Sequence, residues 1–183
     1  MPYIRQSSRP KFETVIKDAT SLIGGANVPQ TSKVEYFGFF IDVLARRYVQ
    51  VTGAPNSSFN AYLFPDATRK QLIEVAGKVA TLIGSGDPME ASGELNYAIS
   101  SILWALSDNA NYGLRVFLSG TIRKVLNDLA FASANTSSDP KEKVMTSRRY
   151  IIALGVLNDV LDETYRRKTA PFEDQKIDTN GDI

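Results

Sequence analysis

The stretch RPKFETVIKDATSLIGG, residues 9–25, decides the fold class. Phe12, Val15, Ile16, Ala19, Leu22 and Ile23 recur at spacings of three and four, which lines one face of an α-helix and fits no strand. Pro10 near its start and Gly24 at its end are the expected punctuation. A first helical turn leaves its N–H groups unpaired, so proline costs little there, and glycine tolerates the turn that ends a helix.

The same period governs the rest of the chain. A second helix is predicted from Ser32, with Glu35 three residues on as a capping box, and carries Phe37, Phe40, Ile41, Leu44, Tyr48 and Val51 up to Gly53. APNSSFNAYLFPD (54–66) follows as a turn-rich connector with three aromatics. Asp66 caps a third helix, whose Leu72, Ile73, Ala76, Val79, Ala80 and Ile83 share a side before Gly84 stops it. GSGDPMEASG (84–93) is linker-like, and its DPME start signal recurs as DPKE at 139–142. Helices are predicted around 93–106, 111–131 and 140–168, the last with Tyr150, Leu154, Leu157 and Leu161 spaced as a packing seam. The reading is a single all-α domain over 1–183, a bundle of about six helices.

Composition bounds the chemistry. The chain of 183 residues is 43% hydrophobic and 22% charged, enough for a core. Its formal charge of +1 disfavours nucleic acid, because neutralising phosphates needs a concentrated basic surface. The absence of cysteine excludes disulfides and thiol catalysis and fits a reducing compartment. With no histidine either, there is no Ser-His-Asp triad, Cys-His pair or His-ligated zinc. No signal-peptide run and no membrane-length apolar stretch is visible, so a cytoplasmic protein is expected. No cofactor and no metal is expected. DTNGD near the end has its glycine too early for a calcium loop and no bidentate Glu to follow.

Candidate functional residues lie off the apolar seams. In SGELNYAIS (92–100), Leu95, Ala98 and Ile99 claim the buried stripe, which turns Glu94, Asn96 and Tyr97 elsewhere. The bland alternative is a solvated face. In NDVLDETYRR (158–167), Asn158, Asp162, Arg166 and Asp159, Glu163, Arg167 form two rows at i, i+4, i+8; these read either as surface ion pairs or, if an arginine faces inward, as an anion site. The terminal YRRKTAPFEDQKIDTNGDI (165–183) has Pro171 to stop the helix and Phe172 and Ile177 as anchors. Asn180-Gly181 supplies a turn, so this tail is expected to dock.

MPYIRQSSRP, GELNYAIS and the terminal string together resemble a family of short bacteriophage and prophage proteins. The resemblance covers about 1–23 and 92–183. Residues 24–91 read as an insertion beyond that family's short form, and Phe172 stands where the family carries Tyr. It implies a viral or prophage origin in a bacterial host and one structural unit built from the three strings, with no activity to carry over. On that basis the N-terminal arm and C-terminal tail are expected to meet near the start of the 93–106 helix. They would gather Tyr3, Arg5, Glu94, Asn96, Tyr97, Tyr165, Arg166, Arg167, Glu173 and Asp174 into a polar pocket or a subunit contact. A structural role, the arms merely capping the bundle, stays open beside it.

Two functions are weighed. The first is a non-catalytic accessory protein, a homo-oligomer that contacts a host or viral partner through Phe59, Tyr62 and Phe64, since clustered aromatics suit interface anchors. The second is a binder of a small anionic ligand, such as a nucleotide or nucleotide signal. A virion component and a nucleotide pyrophosphohydrolase are less favoured; the latter needs Glu-x-x-Glu and Glu-x-x-Asp spacings that the chain lacks.

Overall fold

The computed structural model describes Ile4, residues 6–49, Phe59 and residues 64–84, 88–107, 111–131 and 140–181. Among these every regular element is helical. A 3-10 turn (Gln6–Ser8) leads into α1 (Pro10–Gly24), α2 (Gln30–Val49), α3 (Asp66–Ile83), α4 (Pro88–Leu106), α5 (Tyr112–Phe131) and α6 (Pro140–Thr164). A π turn (Tyr165–Thr169) then carries the chain into α7 (Ala170–Asn180). The all-α bundle expected from the 3.6-residue period is the fold.

The helix α2 is the centre. Phe37 to Ala45 are buried without interruption, all round the helix, and α1, α3, α5 and α6 pack against it. A helix apolar on every side belongs in the middle of a bundle rather than at its surface. The one-sided stripe read from the sequence understates this. Asp42 is wholly buried there and accepts a 2.8 Å hydrogen bond from Arg46 Nε. The six main helices share one contiguous apolar core, built from residues such as Phe12, Phe40, Leu72, Ile99, Leu118 and Leu157.

Several boundaries differ from expectation for physical reasons. Lys33 N–H already bonds the Pro29 carbonyl at 2.9 Å, so the helical ladder begins there and Ser32 sits inside the first turn instead of capping it. The expected run of α2 to Val51 and Gly53 lies outside the described residues. Gly84, with φ of +69°, ends α3 as predicted, a backbone state that favours glycine. Pro171 does not stop the last helix. It lacks an N–H and its ring presses on the carbonyl four residues back, and the chain relieves both by widening into the π turn, where Ala170 N–H reaches Tyr165 O. The helix then resumes as α7 and ends at Gly181, φ +80°.

The C-terminal segment is therefore helical, and it docks elsewhere than expected. None of residues 170–179 is buried. The Phe172 ring stacks on Tyr112 at 4.6 Å, and Tyr112 OH donates to Glu173 Oε1 at 2.8 Å, which ties α7 to the start of α5 and not to the start of α4. The aromatic connector is corrected too. Phe59 is 2% exposed and Phe64 is buried against Tyr36 and Phe39, so neither is an exposed interface anchor. Phe59 lies directly on Gly38 of α2, where a Cβ would overlap its ring. Tyr62 falls outside the described residues.

Candidate functional site

The helix α4 presents two stripes. Leu95, Ala98, Ile99, Ile102 and Leu103 enter the core. Rotated from them, Gly93, Asn96, Tyr97, Ser100, Ser101 and Trp104 repeat at three- and four-residue steps, and all line a cavity of about 190 Å³. Ile4 and Arg9 border it from the N-terminal segment, and Glu163 and Arg167 from the end of α6 and the π turn. Trp104 Nε1 donates to Thr164 Oγ1 at 3.1 Å and so pins α4 to α6 beside the opening. Tyr97 is fixed edge-on against Phe12 with the Arg9 guanidinium 5.7 Å from its ring centre.

The floor is polar and neutral. Asn96 is 7% exposed and Ser100 4%. Ser100 Oγ donates to Asn96 Oδ1 at 3.2 Å, while Asn96 Nδ2 is buried with no hydrogen-bond partner among the described residues. A buried donor left unmade costs roughly 1–3 kcal/mol.

The wall is charged. Arg166 grips Glu163 with Nη2 at 2.8 and 2.9 Å from its two carboxylate oxygens, and Arg167 Nε bonds the same carboxylate. Burial pushes the Glu163 carboxyl up, but the Arg166 hydrogen bond and the two guanidinium charges outweigh it, so its pKa lies below the ordinary carboxylate value. Two guanidiniums, Arg9 and Arg167, against one committed carboxylate leave the lining positive.

The π turn sets Arg167 in that wall, and a buried arginine holds the turn. Arg115 of α5, almost wholly inaccessible, donates from Nη1 to Lys168 O at 2.7 Å and from Nη2 to Ser107 O at 3.3 Å. Lys168 Nζ in turn lies 5.5 Å from the Trp104 ring centre. Wide turns of this kind inside helices recur where function needs a side chain re-aimed.

Of the residues expected at a site, Asn96, Tyr97 and Arg167 come together. Glu94 is turned to α1, where Lys11 Nζ pairs with it at 2.5 Å. Arg166 reaches Glu163 with most of its own side chain in solvent. Tyr165 and Glu173 belong to the α5 contact, with Tyr165 OH 3.4 Å from Glu173 Oε2. Asp174 is exposed on α7, and Arg5 and Tyr3 fall outside the described residues. Reading by sequence missed Ser100, Ser101 and Trp104, although they continue the Asn96–Tyr97 face by helical steps and were findable. Arg9 and Ile4 carried no such signal.

Chemically the site can hold better than it can react. Glu163, ionised and engaged by two arginines, is poorly placed as a general base. Among the described residues no group of acidic side chains is gathered to hold a metal, and no helix is long and apolar enough to cross a membrane. Fold and cavity together define an all-α protein with a small cavity lined by aromatic rings, neutral polar groups and two arginines. The chain belongs to the family described as Domain of unknown function (DUF6899), whose model matches residues 1–183 and so takes in 24–91 as well. Neither a curated protein nor a solved structure matches it.

Proposed function

We propose that the chain is a non-catalytic binding protein that takes a small anionic ligand in the cavity between α4 and the end of α6. The observation that carries this is the Asn96 amide, a buried donor aimed at nothing in the protein's described residues and lining a cavity with two guanidiniums. An acceptor atom on a ligand would satisfy it, and the positive lining favours an anionic one. The bacteriophage or prophage origin implied by the terminal strings fits an accessory role in a bacterial host.

Thermal melts with a panel of phosphates and small carboxylates test the reading. A ligand that binds only the folded state raises the melting temperature by mass action. Asn96→Leu combined with Ser100→Ala should abolish the rise while leaving the unliganded protein about as stable, because it removes the unmade donor together with both partners of the Ser100–Asn96 bond. A marked loss of stability in that variant would mean that Asn96 serves the fold.

A second reading, self-association, is favoured by Phe117, 62% exposed on α5 beside exposed Val116. Light scattering on the wild type and Phe117→Ser separates the two readings: a concentration-dependent mass that the substitution abolishes supports a dimer through α5.

A further inference from the structure

We infer that the ligand has two parts, a planar hydrogen-bonding ring seated on Asn96 and Ser100 and an anionic group held at the mouth by Arg9 and Arg167, which is the chemistry of a nucleoside phosphate. The inference rests on the anion-binding reading above and narrows its ligand class.

Polarity is graded through the cavity in a way a bare anion does not require. The deepest polar groups, Asn96 and Ser100, are neutral. The cations sit outward: Arg9 is exposed, and the Arg167 side chain is 42% exposed. A site made for an anion alone would bring its guanidiniums to the floor, where a low dielectric strengthens them most. Here the floor offers something else. Ser100 Oγ donates its hydrogen bond to Asn96 Oδ1, which leaves its lone pairs to accept, and Asn96 Nδ2 donates. A donor and an acceptor side by side complement the edge of a heterocycle that carries a carbonyl next to an N–H.

Size agrees. A cavity of about 190 Å³ has room for one ring system, since an apolar cavity of about 150 Å³ takes benzene. It does not enclose a sugar and phosphate as well, so those would lie at the mouth, where guanidinium forks match phosphate oxygens. The aromatic lining, Tyr97 and Trp104, suits a π-face, as single-stranded nucleic-acid sites show for bases in general.

Isothermal titration of the full chain with adenosine, guanosine, cytidine and uridine 5′-monophosphates, ribose 5-phosphate and inorganic phosphate is the test. At least one nucleotide should bind about tenfold or more tighter than ribose 5-phosphate, because a site built to pair a polar edge penalises its absence. Asn96→Leu and Ser100→Ala should bring that nucleotide to the ribose 5-phosphate level and leave ribose 5-phosphate unchanged. Arg167→Gln should weaken both. Circular dichroism of each variant checks that the bundle is intact. Equal affinity for nucleotides and ribose 5-phosphate overturns the ring and leaves the anion site standing. If no anion binds at all, both readings fall.

Discussion

Arg115 Nη1 on α5 lies 2.7 Å from the carbonyl oxygen of Lys168, inside the π turn that puts Arg167 in the cavity wall. A guanidinium with five donors is well suited to hold backbone carbonyls that a widened helix leaves open. The same side chain also bonds the Ser107 carbonyl at the end of α4. One buried residue thus joins α4, α5 and the π turn.

Arg115→Met keeps much of the side chain's bulk and removes every donor. Buried hydrogen bonds to a charged group contribute about 1.5–3 kcal/mol, and the stranded Lys168 and Ser107 carbonyls add to the loss. Urea unfolding should show a destabilisation of about 2–3 kcal/mol with little change in slope. Any ligand-dependent melting shift should fall with it. Full stability in the variant would show that the turn holds itself.

Pro171→Ala tests the origin of the π turn. Alanine restores the missing N–H and removes the ring, so the ordinary i→i−4 ladder can close through 165–171. Removing the extra residue of a wide turn rotates α6 relative to α7 by about 100°, one residue's share of a helical turn. Either Arg167 leaves the cavity wall or Phe172 leaves Tyr112. Helicity by circular dichroism should hold or rise while ligand binding or the α7 contact is lost. A variant that retains both would show that Arg115, not Pro171, imposes the wide turn.

Much of the fold was legible because helical period and core burial are the same physical fact seen twice. Phe12, Val15, Ala19 and Ile23 of α1 are both the apolar spacing and the buried face. What failed were inferences from single signals. The Ser32–Glu35 pair looked like a cap, but the chain leaving Pro29 was already helical. Pro171 looked like a stop because local rules take no account of a guanidinium on another helix holding the turn that absorbs it. The candidate site was half legible. Asn96 and Tyr97 stood out because they fall beside an apolar stripe, whereas Arg9 reaches them from the segment before α1 through contacts that no local pattern encodes.

The connector aromatics show the same limit and give a sharp test. Phe59 packs on Gly38 with Lys124 Nζ 4.5 Å from its ring centre. Phe59→Ala should cost about 3–5 kcal/mol as a core truncation. Gly38→Ala should cost about 1–3 kcal/mol in the wild type by overpacking. In the Phe59→Ala background its sign should reverse, because the ring is gone and alanine is favoured over glycine in a helix by about 1 kcal/mol. Urea melts of the four proteins complete the cycle. A stabilising Gly38→Ala in the wild type would place Phe59 away from α2 and return it to the surface.

The clamp on Glu163 predicts how the protein meets acid. Burial alone would raise the carboxyl's pKa, yet Arg166 and Arg167 bring it below the ordinary value. A carboxyl with a depressed folded pKa binds its proton more weakly folded than unfolded. Its stabilisation is therefore complete above the unfolded value of about 4.3 and drains away as pH falls through the folded one. Glu163→Gln cannot take part in that titration. At pH 7 the wild type should melt higher than the variant, and the gap should narrow steadily below about pH 4. Melting temperatures of both proteins across the acid range measure it. A gap that stays constant into acid would mean that the carboxylate is not held by the two arginines in solution.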